Sequence, residues 1–225
     1  MNNKNNKSGM KFVVLLTTLV VVILAAIVIL TNQQETPAVE TAQIDVSGQP
    51  TLGEEEAPVT VVEFGDFKCP SCKALGETVY PQLVEDYVDT GDVKFSYINV
   101  LFHGDESTLA SLAAESVYQQ SPEAYWDFHK ALFAAQPEQN HDAAWVTPEK
   151  VLEVAAEFPS IDQGKLESDM EQQTTMEEVE IDEALVEEAG VAQTPTIVVN
   201  GKQLEDPFDY EAIKALIDQE LTGEE

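Results

Sequence analysis

The chain has 225 residues and a formal net charge of −31, and its 11 basic residues are all lysine. So acidic a surface repels nucleic acid and anionic lipid headgroups, which excludes those ligand classes; it reads as a solubility adaptation to a saline or alkaline exterior. With 44% hydrophobic residues, the chain can supply a core for one domain carrying an insertion.

Residues 1–11 carry Lys4, Lys7 and Lys11 and no acid, and residues 12–30 carry no charge. At about 1.5 Å per residue this apolar run is long enough for a hydrocarbon core of roughly 30 Å. Lysines before it and none just after place the N-terminus, 1–11, in the cytoplasm. A cleaved signal peptide has a shorter apolar region ending at small residues. Here Ala25 and Ala26 lie inside the run, with Ile-Val-Ile-Leu beyond them. A single uncleaved membrane anchor, 12–30, is therefore expected, with all later residues extracytoplasmic. Residues 31–56 are polar and acidic, with Pro37, Gly48, Pro50 and Gly53, and read as a flexible tether.

Residues 59–64 form a β-branched and aromatic run suited to a buried strand, interrupted by Glu63. Six residues on stands Cys69, followed by Pro70, Ser71 and Cys72, the two cysteines being the only ones in the chain. Pro70 suits the first position of a helix. Cys69 then sits at the N-cap, where the helix dipole stabilises a thiolate, the nucleophilic form. One helical turn separates the sulfurs by about 5 Å, inside disulfide range. Lys68 and Lys73 flank the pair and add local positive charge. The spacing predicts a redox-active dithiol. A purely structural disulfide competes weakly, since so short a loop removes only about 2 kcal/mol of chain entropy. A zinc site would have to recruit His103, His129 or His141, which are scattered and unpaired, so no metal site is expected. Two inert buried thiols are the remaining alternative.

A helix running from Cys69 toward Thr90 meets Pro81, which should kink it. A turn at 90–92 leads into a second strand, 93–100, completing a βαβ unit. Residues 104–189 are helical in pattern, with candidates at 107–119, 123–135, 147–157 and 162–188. Thr147-Pro148 marks an N-terminus. Tyr125, Trp126, Phe128 and Phe133 read as the core of this block, and His129 as a packed residue beside them. Glu177, Glu178, Glu180, Asp182, Glu183, Glu187 and Glu188 read as a solvated face; no EF-hand loop supports a calcium site there. After Gly190 come Thr194-Pro195, a strand, the hairpin signal Asn200-Gly201, a partner strand at Leu204, and an amphipathic helix over 209–221.

The motif Phe64-Gly-Asp-Phe-Lys-Cys-Pro-Ser-Cys, together with the late Thr194-Pro195-Thr196, resembles the DsbA-type thiol-disulfide oxidoreductases, most of all the Gram-positive, membrane-anchored BdbD-like members. The resemblance covers about residues 55–222. It implies an α/β thioredoxin fold formed by 57–103 and 190–225 and split by a helical insertion, 104–189. It also implies that Cys69 is the attacked sulfur, that Cys72 is its partner, and that Glu63 handles the Cys72 proton. Pro195 would be cis and pack against the dithiol, leaving the Thr194 backbone to pair with substrate. The implied reaction is donation of the Cys69–Cys72 disulfide to unfolded secreted or cell-surface proteins, with no separate cofactor. A DsbB/BdbC-like, quinone-linked membrane thiol oxidase would be the reoxidising partner. Two departures stand out. Pro70-Ser71 lacks the histidine common in strongly oxidising relatives, and Gln193 replaces a frequent glycine. A reductase or isomerase on the same fold, and a non-enzymatic metal-binding or adaptor module, are the rival readings.

Overall fold

The computed structural model describes residues 13–20, 22, 38–41, 43–140 and 143–223. Residues 13–20 are helical, and among the described residues no helix is long and apolar enough to cross a membrane. The rest of the expected anchor, the 1–11 tail and His141 lie outside the described residues.

Six strands form one mixed sheet. They are β1 (Ala38–Glu40), β2 (Thr51–Leu52), β3 (Val59–Gly65), β4 (Val93–Asn99), β5 (Thr196–Val199) and β6 (Lys202–Leu204), in the order β1-β6-β5-β3-β4-β2. The central strand β3 runs parallel to β4 and antiparallel to β5, with Glu63 opposite Tyr97 on one side and Ile197 on the other. Alternation along β3 sends Val59 and Val61 to one face and Val62 and Phe64 to the other, and both faces are covered.

The expected tether is corrected here. From residue 38 onward it contributes β1, which pairs with β6, and β2, which pairs with β4, so both outer edges of the sheet come from it. Ile44 is buried in the core of the Val62 face. Unpaired strand edges seek partners, and a polar segment can cap an edge with its backbone without any apolar pattern to reveal it.

The single helix expected after Cys69 is three pieces: α1 (Pro70–Thr78), α2 (Tyr80–Leu83) and a π-turn over Val84–Val88. The break falls at Val79, ahead of Pro81, which has no N–H to continue the ladder. The insertion comprises α3 (Asp105–Gln120), α4 (Pro122–Ala134), α5 (Pro148–Ala155), α6 (Gln163–Gln172) and α7 (Met176–Glu188). Thr147 caps α5 as expected, accepting from the Lys150 N–H at 3.2 Å. Gln173, at φ 54°, separates α6 from α7. Asn200 and Gly201 both take positive φ in the hairpin, and α8 (Tyr210–Thr222) closes the chain with Ile213, Leu216 and Ile217 buried. This is the thioredoxin arrangement with a helical insertion that the motifs imply.

The insertion core contains Tyr125, Phe128 and Phe133 as expected, and it also reaches Phe67, Cys69, Cys72 and Tyr97. The dithiol thus sits on the seam between sheet and insertion. Asp182 corrects the reading of the acidic run as a solvated face: it is fully buried. Asn99 Nδ2 donates to Asp182 Oδ2 at 2.7 Å and to Glu115 Oε1 at 2.9 Å. Burial, above all, pushes these carboxyls up, Glu115 to about 8 and Asp182 to about 7.

Candidate active site

The turn between β3 and α1 is held by bonds within itself and by bonds to the insertion. The Cys69 N–H donates to the Asp66 carbonyl at 2.9 Å, and the Asp66 N–H donates to Cys72 Sγ at 3.4 Å. Asp66 Oδ1 accepts from the Lys68 N–H at 2.8 Å; Oδ2 meets Ser107 Oγ at 2.9 Å and His103 Nδ1 at 2.7 Å. Cys69 then occupies the N-cap of α1 with extended backbone, and Pro70 opens the helix. Both sulfurs are free thiols; Cys72 is fully buried and Cys69 nearly so, while Pro70 and Ser71 are exposed.

The two sulfurs are driven to opposite protonation states. A hydrogen bond with Cys72 holds the Cys69 thiol down to about 5, against the opposing effect of burial. The Thr194 side chain and the backbone N–H groups of Cys72 and Ser71 assist, as expected for a helix N-terminus. Burial, with the hydrogen bond to Cys69 and the charges of Glu63 and Cys69 adding to it, pushes Cys72 well above the ordinary thiol range. Near neutral pH the pair is one thiolate and one thiol.

Glu63 is buried, not turned to water, and points from β3 to the face covered by α1. Burial first, and the Cys69 charge second, push its carboxyl up to about 8. Its Oε1 has no hydrogen-bonding partner among the described residues. The Thr194–Pro195 peptide is cis, Pro195 is buried, and Cys69 Sγ lies 3.5 Å from the Thr194 carbonyl oxygen. Gln193 is exposed, and its carbonyl accepts from Thr196 Oγ1 at 2.9 Å. The structure therefore brings Cys69, Cys72, Glu63, Thr194 and Pro195 together.

Lys68 is corrected. It is buried, and its ammonium donates to Glu106 Oε1 at 2.7 Å and to the Ala143 carbonyl at 2.6 Å. Its charge is spent tying the active-site turn to the insertion, because a buried ammonium must be paired. Lys73 likewise reaches the Gln136 carbonyl at 3.3 Å.

Three contributors escape sequence reading. Gln136, buried after α4, donates from Nε2 to the carbonyls of Phe67 at 2.8 Å and Cys69 at 3.1 Å. Asp66 organises the turn. Gly65 leaves room for Tyr97, whose hydroxyl would lie 2.7 Å from any Cβ there. Only the Gly-Asp inside the cysteine motif hinted at the last two. Among the described residues no group of three or more His, Cys, Asp or Glu is arranged to hold a metal.

Comparison with known proteins places this geometry. The thioredoxin family profile matches residues 45–219. Disulfide bond formation protein D of Bacillus subtilis is 44% identical over 183 residues, 81% of this chain and 82% of that protein. The probable disulfide bond formation protein D of Bacillus anthracis is 37% identical, over 78% of this chain and 79% of its own length. The crystal structure of oxidised BdbD from Bacillus subtilis aligns with a TM-score of 0.79 at 43% identity, covering 83% of this chain and all of that one. Chlamydia trachomatis DsbA shares the fold, with a TM-score of 0.71 at 24% identity over 84% of this chain and 99% of its own.

Proposed function

This chain belongs to the thioredoxin family and groups with the disulfide bond formation proteins D, and from that premise we propose how it works. It is a thiol-disulfide oxidoreductase of oxidative folding. In our reading it acts as a disulfide donor: unfolded secreted or cell-surface proteins are oxidised at the expense of the Cys69–Cys72 disulfide. One observation carries the direction, namely the stabilised thiolate of Cys69 beside the destabilised one of Cys72. A thiol that leaves easily makes its disulfide a strong oxidant.

A substrate thiolate attacks Cys69 Sγ, the Cys69–Cys72 bond breaks, and Cys72 departs with the electron pair. Being buried, Cys72 takes up a proton, and Glu63 is the group placed to supply it. A second substrate thiolate then attacks the substrate sulfur of the mixed disulfide, and Cys69 leaves as a thiolate. The substrate gains its disulfide and the protein holds two electrons. Extended substrate segments would lie beside Thr194 as an added strand, which reads backbone and suits many sequences. Reoxidation falls to a quinone-linked membrane thiol oxidase of the DsbB/BdbC kind, and residues 12–30 would hold the catalytic unit at the outer membrane face. No cofactor beyond the dithiol is required.

Equilibration of the full chain with glutathione tests the direction. The expected potential lies well above the thioredoxin value of about −270 mV. A potential at or below that value would make the same site a reductase.

A further inference from the structure

Glu63, Cys72 and His129 line one cleft of about 270 Å³ between α1, α2 and α4. It runs from the buried Cys72 toward the exposed side chains of Glu77 and Lys130. Two buried polar atoms on its wall, Glu63 Oε1 and His129 Nε2, have no hydrogen-bonding partner among the described residues. Leaving such an atom unpaired is costly, and a water can pair it where there is room for one and polar partners to hold it. The cleft provides both.

Packing fixes the imidazole in place. His129 meets Tyr97 edge-on at 4.4 Å between ring centres, Phe133 at 5.0 Å and Phe67 at 5.2 Å. Burial also pushes its basicity down to about 3, so the ring stays neutral and cannot trap a passing proton. A neutral, immobile imidazole can hold water in one orientation without competing for the charge.

We propose that His129 positions an ordered water in this cleft, and that this water carries the proton between Glu63 and solvent each time the dithiol opens or closes. The inference rests on the thiol-disulfide exchange reading above and makes His129 a positioning residue for its proton step. In the closing direction, Cys72 gives its proton to the Glu63 carboxylate, and its sulfur attacks Cys69 Sγ in a mixed disulfide. The Cys69–Cys72 bond forms, the bond to the partner sulfur breaks, and the partner leaves as a thiolate. Glu63 passes the proton to the His129-held water and so to solvent. Opening runs the same path inward.

The test uses the full chain, reduced, with oxidised glutathione as partner and acid quenching to follow the mixed disulfide. A positioned acid or base contributes roughly 10²–10⁴-fold, and a water behind it should contribute part of that, so His129→Leu is expected to slow closure about tenfold. His129→Gln, which keeps a polar atom in the cleft, should return the rate to within about threefold of the parent. The glutathione equilibrium and the Cys69 acid titration should not move. Closure at the parental rate in His129→Leu overturns the proposal. So does a His129→Gln variant as slow as His129→Leu, or a slowing matched by a shifted equilibrium, since both would mark a packing role. Where His129→Leu does not fold, His129→Met fills the space flexibly and takes its place. Failure of the parent chain to oxidise any thiol would instead remove the enzymatic reading, and the two failures are told apart by the parent alone.

Discussion

Gln136 Nε2 donates to the Phe67 carbonyl at 2.8 Å, and the same amide reaches the Cys69 carbonyl at 3.1 Å. A side chain from just beyond α4 thereby clamps the backbone that presents the attacked sulfur. The insertion is part of the active site's scaffold, and the seam between it and the sheet is where chemistry is organised.

Gln136→Ala should leave the Phe67 carbonyl without its partner, while the Cys69 carbonyl keeps the Lys73 N–H at 3.3 Å, and should destabilise the protein by about 1–3 kcal/mol. Denaturant unfolding measures this. The exchange rate should fall as the turn loosens; an unchanged rate and midpoint would remove Gln136 from the scaffold.

Gly65→Ala should be severe for its size. The new Cβ would stand 2.6 Å from Tyr97 Cε2 and 2.7 Å from its hydroxyl, and the tyrosine is fully buried with no room to yield. A loss of about 1–3 kcal/mol is expected, read as a lowered thermal midpoint. Gly65→Ala combined with Tyr97→Phe still meets the ring and should recover only part of the loss.

Lys68→Met separates charge from structure. Removing the ammonium leaves a part-exposed Glu106 that keeps the Trp145 and Val146 N–H groups on Oε2, so the loss should fall below the roughly 3–5 kcal/mol of breaking a fully buried pair. The acid titration of Cys69, followed by thiolate absorbance, should stay where it is. A large upward move would restore Lys68 to the role of electrostatic activator.

The reduced protein should be more stable than the oxidised protein at neutral pH, and the gap should depend on pH. Cys69 titrates near 5 in the folded protein, below an ordinary thiol. The unfolded chain therefore binds more protons between that pH and about 9, and stability of the reduced form rises with pH across this window. It is lost as pH falls through about 5. Melting both redox forms from pH 4 to 8 checks this; parallel curves would contradict the thiolate assignment.

Glu63 has the opposite sign. Its folded value of about 8 exceeds that of a free carboxyl, so the native state holds a proton that the unfolded chain releases. The associated stability is complete below about 4.5 and is lost as pH rises through about 8. Glu63→Gln should flatten that dependence and also slow disulfide closure by roughly a hundredfold. A closure rate equal to the parent's would mean that Cys72 loses its proton by another route.

Local chemistry wrote much of this protein in advance. Cys69-Pro70-Ser71-Cys72 specified an N-cap cysteine because Pro70 opens a helix; the hydrogen bond with Cys72 that does most to hold its thiol down belongs to the folded turn. The run before it specified a buried strand, Thr147-Pro148 a helix start, and Asn200-Gly201 a two-residue hairpin, each through backbone preferences that neighbours alone enforce. What depended on distant partners was not legible. Residues 38–56 join both sheet edges through backbone bonds, which any sequence can make, so their polar composition misled. Lys68 read as free positive charge beside the dithiol until folding brought Glu106, 38 residues away, to its ammonium. Asp182 looked like one acid among many until α7 turned it toward Asn99. Whether a charged group faces water or a partner is decided by desolvation against pairing across the whole fold, and that balance exists only once the chain has closed on itself.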